Sequence, residues 1–255
     1  MLHGFFPSYF EWWHLPVVFL GGLIGESIGA LVGGGSIVTM PALLLTGAPL
    51  HSAIAIDNAA SLATEAGIIS ETWHKIVARK RLVVLMAIPM TLGGIIGTWL
   101  LLNISADVIR YIMAGTVLFL LIHSYMSKSP HPDDVSRRNY ILLTVFLFLI
   151  GIYSNFIAAG EGAFSRMGIM AILGLPFVES TGLKATATTP SRIYLLIVTA
   201  FVGLIVWPYL LTMWVGNFIA GKYSTKFVKK VPDHFLKPIL TLMSIGFVVY
   251  LVFFY

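Results

Sequence analysis

Apolar runs and short polar breaks alternate along the chain in an order that occurs twice. Apolar segments cover residues 15–32, 36–46, 49–73, 82–102 and 107–125. After a polar linker they resume at 140–159, 163–173, 176–202, 207–221 and 233–254. Most are long enough for a transmembrane helix, and stretches such as 82–102 and 141–159 show none of the repeating polar face that a soluble helix needs. The segments 36–46 and 163–173 are the exceptions. Eleven residues of helix rise about 17 Å against a hydrocarbon core of about 30 Å. Each is therefore a short steep span or the returning arm of a re-entrant hairpin, and irregular backbone at that depth must be buried in protein or line a watery cavity.

The order repeats because the sequence repeats. A shift of 127 residues lays Gly33 on Gly160, Gly35 on Gly162, Gly47 on Gly174, Pro49 on Pro176, Ala60 on Ala187 and Ser61 on Thr188. It also lays Gly94 on Gly221 and Arg110 on Lys237. The shared positions are mostly glycine, proline and small residues, so the duplicated feature is backbone shape. Residues 1–126 form the first repeat, 127–139 a linker and 140–255 the second repeat. Ser105 and Asp233 stand where N-caps of the last segment in each half belong. Pro49 and Pro176 suit the first turn of the third.

Loop charge orients the halves. The loop after the third segment carries Lys75, Arg79, Lys80 and Arg81, whereas its counterpart at 203–208 carries no basic residue. The loop at 102–106 carries none, whereas its counterpart carries Lys222, Lys226, Lys229 and Lys230. Only an inverted second half puts both basic loops and the linker in the cytoplasm. Inversion requires an odd number of crossings per half, and both termini then lie outside. The expected fold is an all-α polytopic transmembrane bundle of about ten segments in two inverted repeats, with short broken or re-entrant segments, in the inner membrane.

Composition agrees. The chain is 58% hydrophobic and 11% charged, with a mean hydropathy of +0.90. Its net charge of +5 sits mainly in short loops, where it sets orientation and does not imply nucleic acid. The absence of cysteine excludes disulfides and thiolate chemistry, and the N-terminal MLHGFFPSYFEWWH reads as an interfacial aromatic belt.

Inverted repeats with glycine-broken segments at matching positions point to a transporter whose site lies between the halves. The expected donors are the backbone of Gly33, Gly34, Gly35 and Ser36 and of Gly160, Glu161 and Gly162, since helix starts there attract an anion. Close helix packing is the plainer account of glycine in a membrane. Intramembrane ionisable residues are the sharper signal: Glu26, Asp57, Glu65, Glu161, Arg166, Lys184 and Arg192. Lys184 and Arg192 flank Thr186, Thr188, Thr189 and Ser191, a set suited to an oxyanion, with Asn58 and Ser61 facing it from the first half. Pro190 is expected to interrupt its segment. Arg166 either joins the site or snorkels to the surface. Glu26 and Glu161 are proton carriers or inert hydrogen-bonded groups. The shift also maps Asp57, Ser61 and Glu65 onto Lys184, Thr188 and Arg192, two strips at i, i+4, i+8 spacing. If the strips run antiparallel across a pseudo-two-fold axis, Asp57 meets Arg192, Ser61 meets Thr188 and Glu65 meets Lys184, each pair of numbers summing to 249. Asp57 and Glu65 are then ion-pair and coupling residues, and protons a candidate coupling ion. An anion channel fits the same features. An intramembrane hydrolase using Ser36 or Ser61 with His51 or His74 lacks any activating motif. No cofactor is implied, and no oligomeric state.

The pattern G-G-G-S-I-V-T-M-P-A-L-L-L-T-G-A-P at 33–49 returns more weakly as G-E-G-A-F at 160–164 and G-L-P-F-V-E-S-T-G-L-K-A-T-A-T at 174–188. In these motifs the chain resembles the TauE/SafE family of bacterial membrane proteins, and the resemblance covers nearly the whole chain. It departs where Glu161 interrupts the second glycine run and Gly168 replaces the proline of the first. The resemblance implies an exporter of sulfite, sulfonates or related organosulfur anions, whereas the residues alone imply a small anion.

Overall fold

The computed structural model describes residues 7–32, 34–126, 137–227 and 233–253. They form ten helices and no strand: α1 (His14–Val32), α2 (Ser36–Leu44), α3 (Leu50–Ala78), α4 (Lys80–Asn103), α5 (Ala106–Met126), α6 (Arg137–Phe156), α7 (Glu161–Leu173), α8 (Phe177–Val202), α9 (Trp207–Phe227) and α10 (Asp233–Phe253). Helices α4, α6 and α8 are long and apolar enough to cross a membrane by length and composition alone. The outer surface carries exposed apolar side chains such as Val84, Trp99, Ile141, Phe201 and Leu242, while Asp57, Glu65, Glu161 and Arg192 are buried. Apolar outside and charged inside is the distribution lipid demands.

Several helices run past the apolar segments that announced them. Lys75 lies inside α3 and Lys80 and Arg81 inside α4, so the expected basic loop contracts to a turn at Arg79. Lys222 and Lys226 similarly extend α9, and Lys229 and Lys230 lie outside the described residues. Hydropathy ends where the hydrocarbon ends, but Lys and Arg are good helix formers and the backbone continues. Pro49 and Pro176 are extended N-cap residues, one place before the expected first turn, and their carbonyls accept from Ala53 and Ser180. Helix α8 runs unbroken through Pro190.

The packing of α2 settles its direction. A Cβ on Gly21 would stand 2.4 Å from that of Ala42, one on Gly25 would meet Thr39, and one on Gly29 would lie 2.7 Å from Gly35. Helix α2 therefore folds back along α1 as an antiparallel hairpin, close because glycine faces it. Helix α7 has the same place after α6. It opens at Gly160 and closes at Gly174, with φ of 78° and 64°; this left-handed backbone favours glycine.

Longer helices meet with backbones almost touching. A Cβ on Gly93 would lie 2.0 Å from the Phe148 carbonyl oxygen, one on Gly97 2.2 Å from that of Ile152, and one on Gly221 2.2 Å from that of Thr64. Helices α4 and α6 run parallel, as do α1 and α9 (Gly22 against Asn217, Gly216 against Phe19) and α3 and α9. Helices α3 and α8 run antiparallel: Gly182 packs on Thr72, and Glu65 reaches Thr189 and Arg192. Further pairings join α4 with α8 and α5 with α10. An apolar core of Ala55, Ile56, Ala59, Ala60, Leu195, Tyr209 and Leu210 fills one side of the α3–α8 crossing.

Candidate functional site

On the other side of that crossing lies a cavity of about 60 Å³, room for a few waters or one small ion. Helix α1 supplies Glu26 and Gly29, and the α1–α2 turn supplies Gly35 and Ser36. Helix α3 supplies Ser61, Thr64, Glu65 and Ile68; Gly160, Glu161, Gly162 and Arg166 come from the start of α7. Thr181, Lys184, Ala185 and Arg192 complete the wall from α8. The i, i+4 spacing along α3 and α8 turns one face of each inward.

A chain of charges crosses this space. Arg192 Nη1 donates to Glu65 Oε1 at 2.6 Å and Nη2 to Glu161 Oε2 at 3.1 Å, and Lys184 Nζ donates to the same Glu161 oxygen at 2.8 Å. The Thr188 and Thr189 hydroxyls donate to the two oxygens of Glu65, the latter at 2.8 Å. Arg166 donates to the carbonyls of Gly162 (2.9 Å) and Gly29, tying α7 to α1. Behind the wall, Asp57 accepts from Ser36 at 2.7 Å and from Thr39. Such groups tolerate desolvation only when paired and hydrogen-bonded together. The set is not closed: among the described residues, Glu161 Oε1 and Arg192 Nε are buried without a hydrogen-bond partner, while the Thr64 hydroxyl faces Glu26. An unused donor and an unused acceptor in a polar cavity are what a small polar ligand or water would satisfy. Backbone strain lies alongside. Ala158, in the α6–α7 turn, has φ of 64°, a region uncommon for alanine, and Tyr153 braces the turn by donating to the Ala159 carbonyl.

The structure brings Gly35, Ser36, Ser61, Glu65, Gly160, Glu161, Gly162, Lys184 and Arg192 into one wall. Thr188 stands directly behind it on Glu65. Gly33 lies outside the described residues, and Gly34 accepts from the Ile37 amide in the turn. Asn58 is buried and donates to the Ile54 carbonyl of its own helix. The Ser61 hydroxyl likewise donates to the Asp57 carbonyl.

The expected pairings need correction. Glu65 pairs with Arg192 and not Lys184, Lys184 pairs with Glu161, and Asp57 is held by hydroxyls. Contacts between α3 and α8 join residues whose numbers sum to 253–257 in place of 249. That is a slide of more than one turn, and it makes Glu65 meet its own counterpart under the 127-residue shift. Arg166 does not snorkel, being only 5% exposed. Glu26 and Arg166, left ambiguous by the sequence, both reach the cavity; their intramembrane position was the only signal. His51 bonds the Ile104 carbonyl at 2.9 Å, and His74 is exposed.

Comparison with known proteins bears on this arrangement. A probable membrane transporter protein, ORF9, from Sinorhizobium sp is 23% identical over 236 residues, covering 91% of this chain and 90% of its own. Probable membrane transporter protein YfcA of Escherichia coli (strain K12) is 25% identical over 237 residues, covering 90% and 86%. YdhB of Bacillus subtilis (strain 168), also named a probable membrane transporter protein, is 24% identical over 226 residues, covering 87% and 91%. No solved structure matches the chain. Residues 17–251 match the family described as Sulfite exporter TauE/SafE, and on that coverage the chain, a multi-pass membrane protein, belongs to the TauE/SafE family.

Proposed function

We propose that the protein is a secondary transporter, not an enzyme, exporting sulfite, a sulfonate or a related organosulfur anion across the inner membrane. It does so by alternating access between two inverted halves, 1–126 and 140–255, joined by the linker 127–139. The observation that carries this reading is the cavity at the α3–α8 crossing, where Lys184, Arg192 and Arg166 converge with glycine-rich backbone at the starts of α2 and α7. The names of the relatives and the family description supply the transport class and the sulfur anion.

The packing supports inversion. Helix α1 packs on α9 as α6 packs on α4, and Gly221 touches Thr64 as Gly94 touches Ser191. In each comparison the partners exchange under the 127-residue shift. The apolar cluster that includes Ala55, Ile56, Ala59 and Leu195 of α3 and α8, with Tyr9, Phe10 and Leu15 packed against it, supports a cavity open to one side over the open pore of an anion channel. An anion entering would displace a carboxylate from its cation; the Glu65–Arg192 and Glu161–Lys184 bridges are the contacts to be exchanged. Counterflow in proteoliposomes tests the reading. Preloaded unlabelled sulfite or a sulfonate should drive transient accumulation of its labelled form, and an unsaturable flux without counterflow would identify a channel instead.

A further inference from the structure

Four carboxylates and three cations gather around the cavity: Glu26, Asp57, Glu65 and Glu161 against Arg166, Lys184 and Arg192. Three of the carboxylates have their charge met by donors. Glu65 and Glu161 share Arg192, Glu161 also holds Lys184, and Asp57 takes two hydroxyls. Glu26 faces the Thr64 hydroxyl but makes no ion pair among the described residues, although it is only 9% exposed. Its carboxylate lies against the α1–α2 turn: a methyl group on Gly35 would stand 2.9 Å from Glu26 Oε1, and one on Gly29 3.7 Å from Oε2. The glycines leave space for this carboxylate at the start of α2, the end of a helix that favours negative charge.

The fully ionised set carries one negative charge in excess, and an incoming anion would add a second to a space of about 60 Å³. Like charges so close in a low-dielectric site disfavour one another strongly. We propose that Glu26 is the proton-binding residue of this site, taking up one proton with each anion that enters and releasing it when the anion leaves. The proposal rests on the transport reading above and deepens it: the cargo is an anion together with a proton. Every charged group facing Glu26 has a role in the balance. From α3 these are Asp57 and Glu65, from α7 Glu161 and Arg166, and from α8 Lys184 and Arg192; the wall nearest Glu26 from α2 is glycine and Ser36.

The test uses the full chain in detergent and in proteoliposomes, with methanesulfonate as a probe that stays ionised across the working pH range. Inorganic sulfite, which itself titrates, serves as the second anion. In the wild type, methanesulfonate affinity should rise about tenfold for each unit of falling pH while one proton is taken up per anion. Weakly buffered solution should become alkaline on binding. Glu26→Gln should abolish the pH slope whatever its absolute affinity. Glu26→Asp, which keeps a titratable group, should retain the slope. An infrared difference band for a protonated carboxyl should appear on anion binding in the wild type and be missing from Glu26→Gln. Anion binding by the wild type without proton uptake would overturn the Glu26 assignment and leave transport standing. Balance by sodium, or an undiminished slope in Glu26→Gln, would have the same consequence. If Glu26→Gln does not fold, the infrared band decides: it should shift in frequency in Glu26→Asp, and an unshifted band would overturn the assignment. Failure of both anions to bind or exchange in the wild type would overturn the transport reading itself.

Discussion

Arg192 holds two carboxylates at once, one from α3 and one from α7, so its loss reaches both elements. Removing one member of a buried pair strands the other charge, at a cost of about 3–5 kcal/mol. Arg192→Ala should therefore destabilise the purified protein by about that amount. The paired change Glu65→Gln with Arg192→Gln should cost less than the sum of its single changes, since partners in contact couple by about 0.5–3 kcal/mol; thermal unfolding of the four proteins closes the cycle. Additivity would show that the contact contributes nothing. Anion affinity is a separate readout. Lys184→Ala should weaken sulfite or sulfonate binding by about 10–100-fold, the worth of a charge-assisted hydrogen bond of roughly 1.5–3 kcal/mol. Arg110→Ala should leave it unchanged, because Arg110 is occupied by Asp107 at 3.1 Å on α5, away from the cavity. Equal losses at Lys184 and Arg110 would argue for a diffuse field and against a site.

At the scale of helices, glycine decides how closely the elements meet, and glycines are not interchangeable. A Cβ on Gly221 would lie 2.2 Å from the Thr64 carbonyl oxygen, whereas one on Gly115 would have nothing within 4 Å. Thr64 belongs to the cavity wall, so the α3–α9 contact transmits directly to the site. Gly221→Ala should destabilise by about 1–3 kcal/mol, the usual cost of overpacking, and should disturb binding as well. Gly115→Ala, in the interior of α5, should be neutral or stabilising by up to about 1 kcal/mol from helix propensity. Unfolding midpoints of the two variants, measured side by side, check this. A tolerated Gly221→Ala would mean that α3 and α9 slide apart freely. The turn of α7 illustrates the same economy: Gly160 takes the left-handed backbone that starts the helix, and the residue after it, Glu161, is the shared acceptor of Lys184 and Arg192.

For the whole molecule, the ends of α3 and α9 fix how basic residues are placed. The two helices run parallel, with Gly67 against Phe218 and Lys222, so the end of α3 that carries Lys75 and leads to Arg79 lies at the same end of the bundle as the C-terminal end of α9. Arg79 also pairs with Glu179 at the start of α8. The positive-inside rule predicts a cytoplasmic position for that face. Single cysteines in this cysteine-free chain give a direct test. Ala78→Cys and Tyr223→Cys should resist a membrane-impermeant maleimide in intact cells, and Ser8→Cys should react. Labelling at position 78 from outside would refute the inverted arrangement.

The sequence by itself determined the helices, their order, the short glycine-bounded α2 and α7, and the membership of most of the cavity wall. Those features are local. Apolar length marks a membrane span, glycine and proline mark where helix stops, and an ionisable residue within a span has nowhere to point but inward. Tertiary structure alone decided which charge meets which. The choice between Lys184 and Arg192 as the partner of Glu65 depends on how far two antiparallel helices slide past each other. That slide is set by close contacts between the two helices, such as Gly182 against the Thr72 side chain, and no periodicity within one helix encodes it. The same holds for Glu26. Its spacing in α1 says only that it is intramembrane, and its place in the cavity follows from α2 folding back to bring Gly35 against its carboxylate.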